Sequence, residues 1–409
     1  MIFRFRFLKP PAYALIALVL LTFAMEVGVR AYDSVAGLAS TQSFGKGVLV
    51  VESWLTHHRL IPLQTFDGQN PDTKTAVKIV TNSFGLRGPE PAVPKPPGIF
   101  RIICLGDETV LGAEVTETKT FCVRLRQLLE ERTRLQVEVI NAGVPGYCPL
   151  LSYLQVKHEL LALQPDVLIL NFDMSDVAED YKYRRHTFVN AANVPLSCPN
   201  PALGSRAATG RRRPADQFAI VQWGKSRLGW LWQDNIEADQ ERDIASHRGK
   251  YLWLEHSPTE WSVHIRQTLS SIEHLKKIGD GIHAWTIVAT YPTPWQVSAA
   301  ASNGPGVRKA AGVNAEAVFS GTMPFDVLAD YTARHAILFC NTSQLFRNAP
   351  NAENLFLRNV SRFSAQGHEL YARKLAVFLV NNIPGIWTNG SSNSWGNLVQ
   401  PHQTRPESR

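Results

Sequence analysis

The stretch Ile99 to Val115, IFRIICLGDETVLGAEV, runs from an apolar segment into Gly106-Asp107-Glu108. A short run rich in isoleucine reads as a buried strand, and the Gly-Asp pair that breaks it reads as a turn into a helix. Such a turn presents a side chain above the C-terminal edge of a parallel sheet, beside N–H groups at the positive end of a helix dipole. That geometry suits a nucleophile or a bound anion, and the residue presented is Glu108. A second acidic stretch, Asp173-Met174-Ser175-Asp176-Val177-Ala178-Glu179-Asp180, follows the apolar run DVLILNF. Glu108, Asp173 and Asp176 at one crevice would offer oxygen ligands to a hard cation. Helix capping and solvated acids are the simpler expectation, and neither a metal nor a cofactor is expected. Asp280-Gly281-Ile282-His283 joins an acid to a base, but it precedes a strand and so belongs to the opposite end of the sheet from Glu108. The five cysteines, Cys104, Cys122, Cys148, Cys198 and Cys340, include no CxxC spacing, which argues against zinc, and their odd number gives no complete disulfide framework.

The elements that must hold these residues alternate between strand and helix. Phe100 to Leu105, Val137 to Asn141, Asp166 to Phe172, His283 to Tyr291 and Ala336 to Cys340 read as strands. Lys119 to Arg132, Leu150 to Leu163, Trp261 to Ile278 and Ala365 to Asn382 read as helices. Near-continuously apolar strands separated by helices predict an α/β protein with a doubly wound parallel sheet, whose crevice lies at the strands' C-terminal ends. Glu108, the Ala142 to Tyr147 turn and the Asp173 cluster all fall at such ends and are expected to converge.

The flanks have a different composition. Arg4, Arg6 and Lys9 precede an uncharged run from Pro10 to Met25 without a clear cleavage site. An uncleaved signal anchor over residues 1–32 is expected, with a cleaved signal peptide as the alternative. The positive-inside rule then makes the chain a single-pass protein of the inner (cytoplasmic) membrane with its domain extracytoplasmic. Residues 33–98 carry turn signals and the proline-rich PEPAVPKPP and read as a linker region. Residues 99–384 form the main domain, with an insertion over about 190–255, and residues 385–409 a disordered tail. The insertion carries Arg211 to Arg213 and, with the segment after it, Trp223, Trp230, Trp232, Trp253 and Trp261, aromatics that fill cores or stack on sugars. The formal net charge of +7 suits anionic partners such as lipid headgroups or acidic polysaccharide. No nucleic-acid recognition motif is present, and no nucleic-acid partner is expected.

Four blocks in order resemble those of the SGNH (GDSL) hydrolases. Gly106-Asp107-Glu108 is similar to that family's Gly-Asp-Ser, and Asn141-Ala142-Gly143 to its second block, whose glycine supplies an oxyanion-hole N–H. Asp173 to Asp176 stands at the Gly-x-Asn-Asp block, and Phe363-Ser364-Ala365-Gln366-Gly367-His368 resembles the stretch after the family's Asp-x-x-His. The lead-in TNSFGLRGPE is similar to that of membrane-anchored members associated with envelope polysaccharide. The resemblance implies a flavodoxin-like three-layer αβα sandwich with a five-stranded parallel sheet. It also implies that Glu108 replaces the serine nucleophile, Ser175 the oxyanion asparagine, and Asn359 and Arg362 the aspartate and histidine. Asp107, Gly143, Asp173 and Asp176 would complete the site. An arginine cannot serve as general base, and glutamate cannot repeat the serine's acyl chemistry. The expectation is therefore a catalytically degenerate, pseudoenzyme-like protein of envelope polysaccharide assembly or O-acylation, with acylated or acidic polysaccharide, or a membrane acyltransferase, as partner. An active esterase or O-acyltransferase with a non-standard site, its residues not identified, is one alternative; Ser364 or Ser175 as a displaced nucleophile has no histidine in obvious reach, His368 and His186 being the ones to check. A structural partner of a membrane acyltransferase is another. Glu108 and Arg362 are expected to face one another as an ion pair, with Asn359 beside them and the Gly143 N–H donating to the carboxylate.

Overall fold

The computed structural model describes residues 43–44, 47–133, 135–203 and 261–383. The expected anchor at Met1 to Tyr32, the Arg211 to Arg213 run, Trp223, Trp230, Trp232 and Trp253, and the tail from residue 385 lie outside the described residues. Among the described residues, no helix is long and apolar enough to cross a membrane.

Five strands, β1 (Ile99–Gly106), β2 (Gln136–Gly143), β3 (Val167–Phe172), β4 (Trp285–Thr290) and β5 (Leu338–Asn341), form one sheet. Every pairing is parallel, in the order β5-β4-β3-β1-β2. Read from the other edge this is 2-1-3-4-5, the flavodoxin-like order, in which the chain reverses direction across the sheet between β1 and β3. The switch leaves a crevice outside the C-terminal ends of those two strands. Gly106, which ends β1, pairs with Gly143, which ends β2.

Alternation along β1 explains the two covering layers. Ile103 and Leu105 pack with α3 (Pro149–Gln155), α4 (Asp176–Arg184), α5 (Trp261–Gly281) and α6 (Met323–Arg334), through Leu150, Val177, Ile272 and Phe325 among others. Ile102 and Cys104 face the other layer, where α2 (Phe121–Arg132) and α7 (Ala365–Asn382) contribute Leu125, Leu129, Tyr371 and Leu375. Each of these leucines is wholly buried, and burial of this kind is worth about 1.5–3 kcal/mol per side chain. All five cysteines are buried thiols.

The region expected as a linker, residues 33–98, is folded where it is described. Val50–Glu52 pairs antiparallel with His58–Leu60, and Thr65–Gln69 with Ala76–Val80. Leu49, Leu60, Phe66, Ile79 and Leu86 join the same core as β1 and α3. The strands are short, two of them only three residues, and half-exposed, so they carry too few apolar positions for a visible period. At the start of the expected insertion, Pro195–Ser197 pairs antiparallel with Phe188–Val189.

Candidate functional site

The crevice begins where β1 ends. Gly106 has φ +145, and a Cβ there would stand 2.7 Å from Val110 Cγ2 and 3.1 Å from the Asn171 carbonyl oxygen. Only glycine lets the chain turn that tightly into α1 (Glu108–Leu111). Asp107 caps this single turn, its Oδ1 accepting the Thr109 N–H at 2.8 Å. The N–H offered at the helix start is therefore taken by the chain's own side chain. The Tyr291 hydroxyl, at the end of β4, donates to the same Oδ1 at 3.4 Å.

Two further groups lock α1 against the sheet. The Asn141 side chain donates to the Val110 carbonyl at 2.8 Å, and its Oδ1 accepts the Gly143 N–H at 3.0 Å. Arg87, buried within the TNSFGLRGPE segment, donates from Nη1 to the carbonyls of Leu111 at 2.7 Å and Gly112 at 2.6 Å. Its Nη2 donates to Val115 O at 2.9 Å. A guanidinium on the last carbonyls of a helix satisfies acceptors that have no partner within the helix. Burial lowers the Arg87 pKa to about 10, which leaves it charged at neutral pH.

Glu108 meets Arg362. Nη2 of the arginine lies 3.1 Å from Oε1 of the glutamate, with side-chain exposures of 20% and 19%. The ion pair expected from the positions of the two blocks is thus formed. Arg362 is delivered by a loop stapled at Phe356 and Phe363, which pair across it, and its Nη1 also donates to the Ser361 carbonyl at 3.0 Å. Burial works against its charge, but Glu108, Asp107, Glu114 and Asp173 outweigh burial and raise its pKa above the ordinary value. Asp107 moves the other way: burial, then Glu108 and Asp173, hold its carboxyl well above the usual carboxylate range, with Arg362 opposing. One guanidinium thus sits among several carboxyls, of which Glu108 makes the direct contact.

The remaining expected residues divide into those brought here and those placed elsewhere. Asp173 joins the crevice, and its Oδ1 accepts the Ser175 N–H at 2.6 Å. Asp176 is buried at the start of α4, its Oδ2 accepting the Asp173 N–H at 3.0 Å while Oδ1 has no hydrogen-bond partner among the described residues. Burial, with Asp173, Glu179 and Asp107 nearby, pushes its carboxyl well up. Ser175 is the buried residue preceding α4.

Gly143 corrects an expectation. Its N–H is taken by Asn141, so it does not donate to Glu108. Its glycine identity has another cause: a Cβ would lie 2.3 Å from Leu111 N and 2.8 Å from Val110 C, so the α1 backbone could not close on β2. Asn359 corrects another. Its N–H donates to Asp72 Oδ1 at 2.8 Å and its side chain to Pro71 O at 3.4 Å, which ties the Arg362 loop to the N-terminal hairpins and gives it no hydrogen bond to Glu108 or Arg362. Glycine at 304 makes room for it, since a Cβ there would stand 2.4 Å from Asn359 Oδ1.

The alternative nucleophile–base pairs are not assembled. Ser364 caps α7, accepting the Gly367 N–H at 3.3 Å and donating to Asn354 O at 2.6 Å. His368 is buried on α7, with Nδ1 accepting the Phe121 N–H at 3.3 Å and its pKa lowered by burial to about 3. His186 follows α4 in a turn. His283 precedes β4, at the opposite end of the sheet. Among the described residues, no three His, Cys, Asp or Glu side chains converge as metal ligands would.

Between Thr109, Asp173, Tyr291, Arg362 and Phe363 the open space is about 10 Å³, room for about one water. A larger cleft of about 830 Å³ opens beyond Phe356, which borders both. Sequence reasoning missed Arg87, Tyr291 and the pair His57 and His58. A lone arginine inside a small-residue turn was the legible sign of the first, and a tyrosine at the end of a strand marked the second. The histidine pair gave no signal beyond adjacency. His57 Nδ1 lies 2.9 Å from His58 Nδ1, and His58 Nε2 donates to Pro145 O at 2.7 Å, so His58 Nδ1 accepts from His57 in the neutral pair.

No family model matches the chain, and no curated protein matches it significantly. Among solved structures it is similar to the acetylxylan esterase Axe2 from Geobacillus stearothermophilus, at 13% identity and a TM-score of 0.35, over 68% of this chain and 94% of that one. It is similar also to the lipase/acylhydrolase from Enterococcus faecalis, at 13% identity and a TM-score of 0.36, over 69% of this chain and 96% of that one.

Proposed function

We propose that this chain is a membrane-anchored protein of SGNH-hydrolase type whose ester-cleaving machinery has been replaced by a structural ion pair, and that it serves envelope polysaccharide assembly without hydrolysing acyl esters. The observation that carries this reading is the Glu108–Arg362 contact at 3.1 Å, where the resemblance sets the serine and histidine. A triad needs a nucleophile whose proton passes to a neutral base. Here a carboxylate already holds a permanently protonated guanidinium, and neither can exchange roles. The Gly143 N–H, which the resemblance assigns to the oxyanion, is occupied by Asn141. The anchor and the polysaccharide role rest on the basic lead-in with its apolar run, and on TNSFGLRGPE. In the fold, the Arg87 of that segment braces α1.

A serine-directed fluorophosphonate tests the reading. Incubation of the full chain followed by mass spectrometry is expected to leave Ser175 and Ser364 unlabelled. Stoichiometric labelling of either serine, abolished by its alanine variant, would overturn the reading.

A further inference from the structure

The 830 Å³ cleft does not end where its own walls do. It is built from the 70–75 turn of the N-terminal hairpin, the 114–119 segment, the loop after β4 and the start of α7. Through Ala300 and Asn303 it passes into a second hollow of about 890 Å³, along the 299–316 loop. Through Lys119 and Gln366 it passes the other way into a third, of about 570 Å³, between α2 and α7. The three hollows adjoin through these shared wall residues, and a row of adjoining hollows suits a polymer with repeated units better than a small compact ligand.

The chemistry of the walls narrows the polymer. Each hollow carries an exposed cation: Lys119 at the shared boundary, Arg358 in the central cleft and Lys309 in the second hollow. Five acids also line the hollows, of which Glu353 and the exposed Glu316 stand beside the cations, and others are already engaged. Asp72 accepts the Arg358 and Asn359 N–H groups at 2.6 and 2.8 Å, and Glu369 is held by Arg124 and Arg373. Burial raises the Glu114 carboxyl, with Arg362 opposing. Between the cations stand exposed amides and hydroxyls, Asn303, Asn354, Gln366 and Thr116, suited to bonding sugar hydroxyls. A single-stranded nucleic acid would call for exposed aromatic platforms. Among the described residues, the one aromatic bordering the central cleft, Phe356, is buried.

We propose that this row of hollows binds an extended acidic polysaccharide, with Lys119, Arg358 and Lys309 meeting its anionic groups and Asn303, Asn354 and Gln366 its hydroxyls. This rests on the proposed polysaccharide role and gives it a location separate from the Glu108–Arg362 crevice. The probe is polygalacturonate, titrated calorimetrically into the full chain, with dextran and oligo(dT) as neutral and nucleic-acid comparisons. The expected result is binding of polygalacturonate that weakens with salt, with little or no binding of dextran or oligo(dT). Lys119→Glu with Arg358→Glu, both at exposed positions, is expected to weaken it at least about tenfold. Lys276→Glu with Lys277→Glu, an equal charge reversal on α5 in the opposite layer, is expected to change it by less than about twofold. Absence of polygalacturonate binding, equal losses in the two double variants, or oligo(dT) binding as tight as polygalacturonate would each overturn the proposal. Ester turnover measured on the same samples separates the two readings. Hydrolysis together with site-dependent binding would sink the non-hydrolytic reading alone, and absent binding without hydrolysis would sink the polysaccharide site alone.

Discussion

At the scale of single residues, charge decides what the crevice can do. Arg362 pairs directly with Glu108 and stands near Asp107, Glu114 and Asp173, so its removal leaves Glu108 without its counter-charge among other acids. Arg362→Ala is expected to cost about 2–3 kcal/mol in chemical denaturation, short of the 3–5 typical of a fully buried pair because both side chains keep some exposure. Adding Glu108→Ser should recover at least about 1 kcal/mol of that loss, and strictly additive effects would show that the pair is not coupled. Asp176 is the converse case. It is buried beside other acids with one oxygen unpartnered among the described residues, so its ionised form is a burden at neutral pH. Asp176→Asn should raise stability at pH 7 by about 1 kcal/mol, and a loss of that size would contradict the electrostatic account. The pH dependence has a worked sign. Burial holds His368 near a pKa of about 3, against an ordinary value of 6.5. Between those values the unfolded chain binds a proton that the folded one refuses, so this histidine's contribution is full above 6.5 and is lost as pH falls toward 3. The raised carboxyls of Asp107, Glu114 and Asp176 act in the opposite sense, favouring the fold when protonated and losing that effect as pH rises. Comparison of melting temperatures for the parent and His368→Gln from pH 7 to pH 4 cancels those carboxyls. The variant should lose less stability on acidification, and parallel curves would refute the assignment.

At the scale of elements, the single turn α1 is the part most dependent on its neighbours. Four residues cannot form a stable helix alone, so Asp107, Asn141 and Arg87 hold it from the start, the flank and the end. Gly143→Ala would drive a methyl to 2.3 Å from Leu111 N. It should destabilise by about 3 kcal/mol or more, in the range of severe backbone conflicts, as read by the denaturation midpoint. A change below about 0.5 kcal/mol would mean that the turn can yield. The same elements show what was legible in the sequence. β1 and β3 were readable because parallel strands buried on both faces are continuously apolar, and α7 because its apolar positions recur at helical spacing. The hairpins before residue 80 were not, because three- to five-residue strands with alternating exposure leave no sustained pattern. Arg362 opposite Glu108 could be anticipated from block order alone. Asn359, three residues earlier, could not, since its partners Asp72 and Pro71 come from the hairpin region that read as linker.

At the scale of the molecule, the 2-1-3-4-5 sheet sets Glu108 and Asp173 at its switch point, and the 830 Å³ cleft adjoins that crevice at Phe356. The N-terminal run predicts a domain held at a membrane. N-terminal sequencing of the protein from its native membrane should begin at or near Met1, and a soluble form beginning well after Val29 would contradict an uncleaved anchor. The central claim is that an ion pair has replaced the nucleophile and base of an esterase crevice. Steady-state turnover of p-nitrophenyl acetate by the full chain tests it most directly. A rate indistinguishable from that of the Glu108→Ser/Arg362→Ala variant and from buffer is predicted. A kcat of about 1 s⁻¹ or more, lost when a crevice residue is substituted, would contradict it.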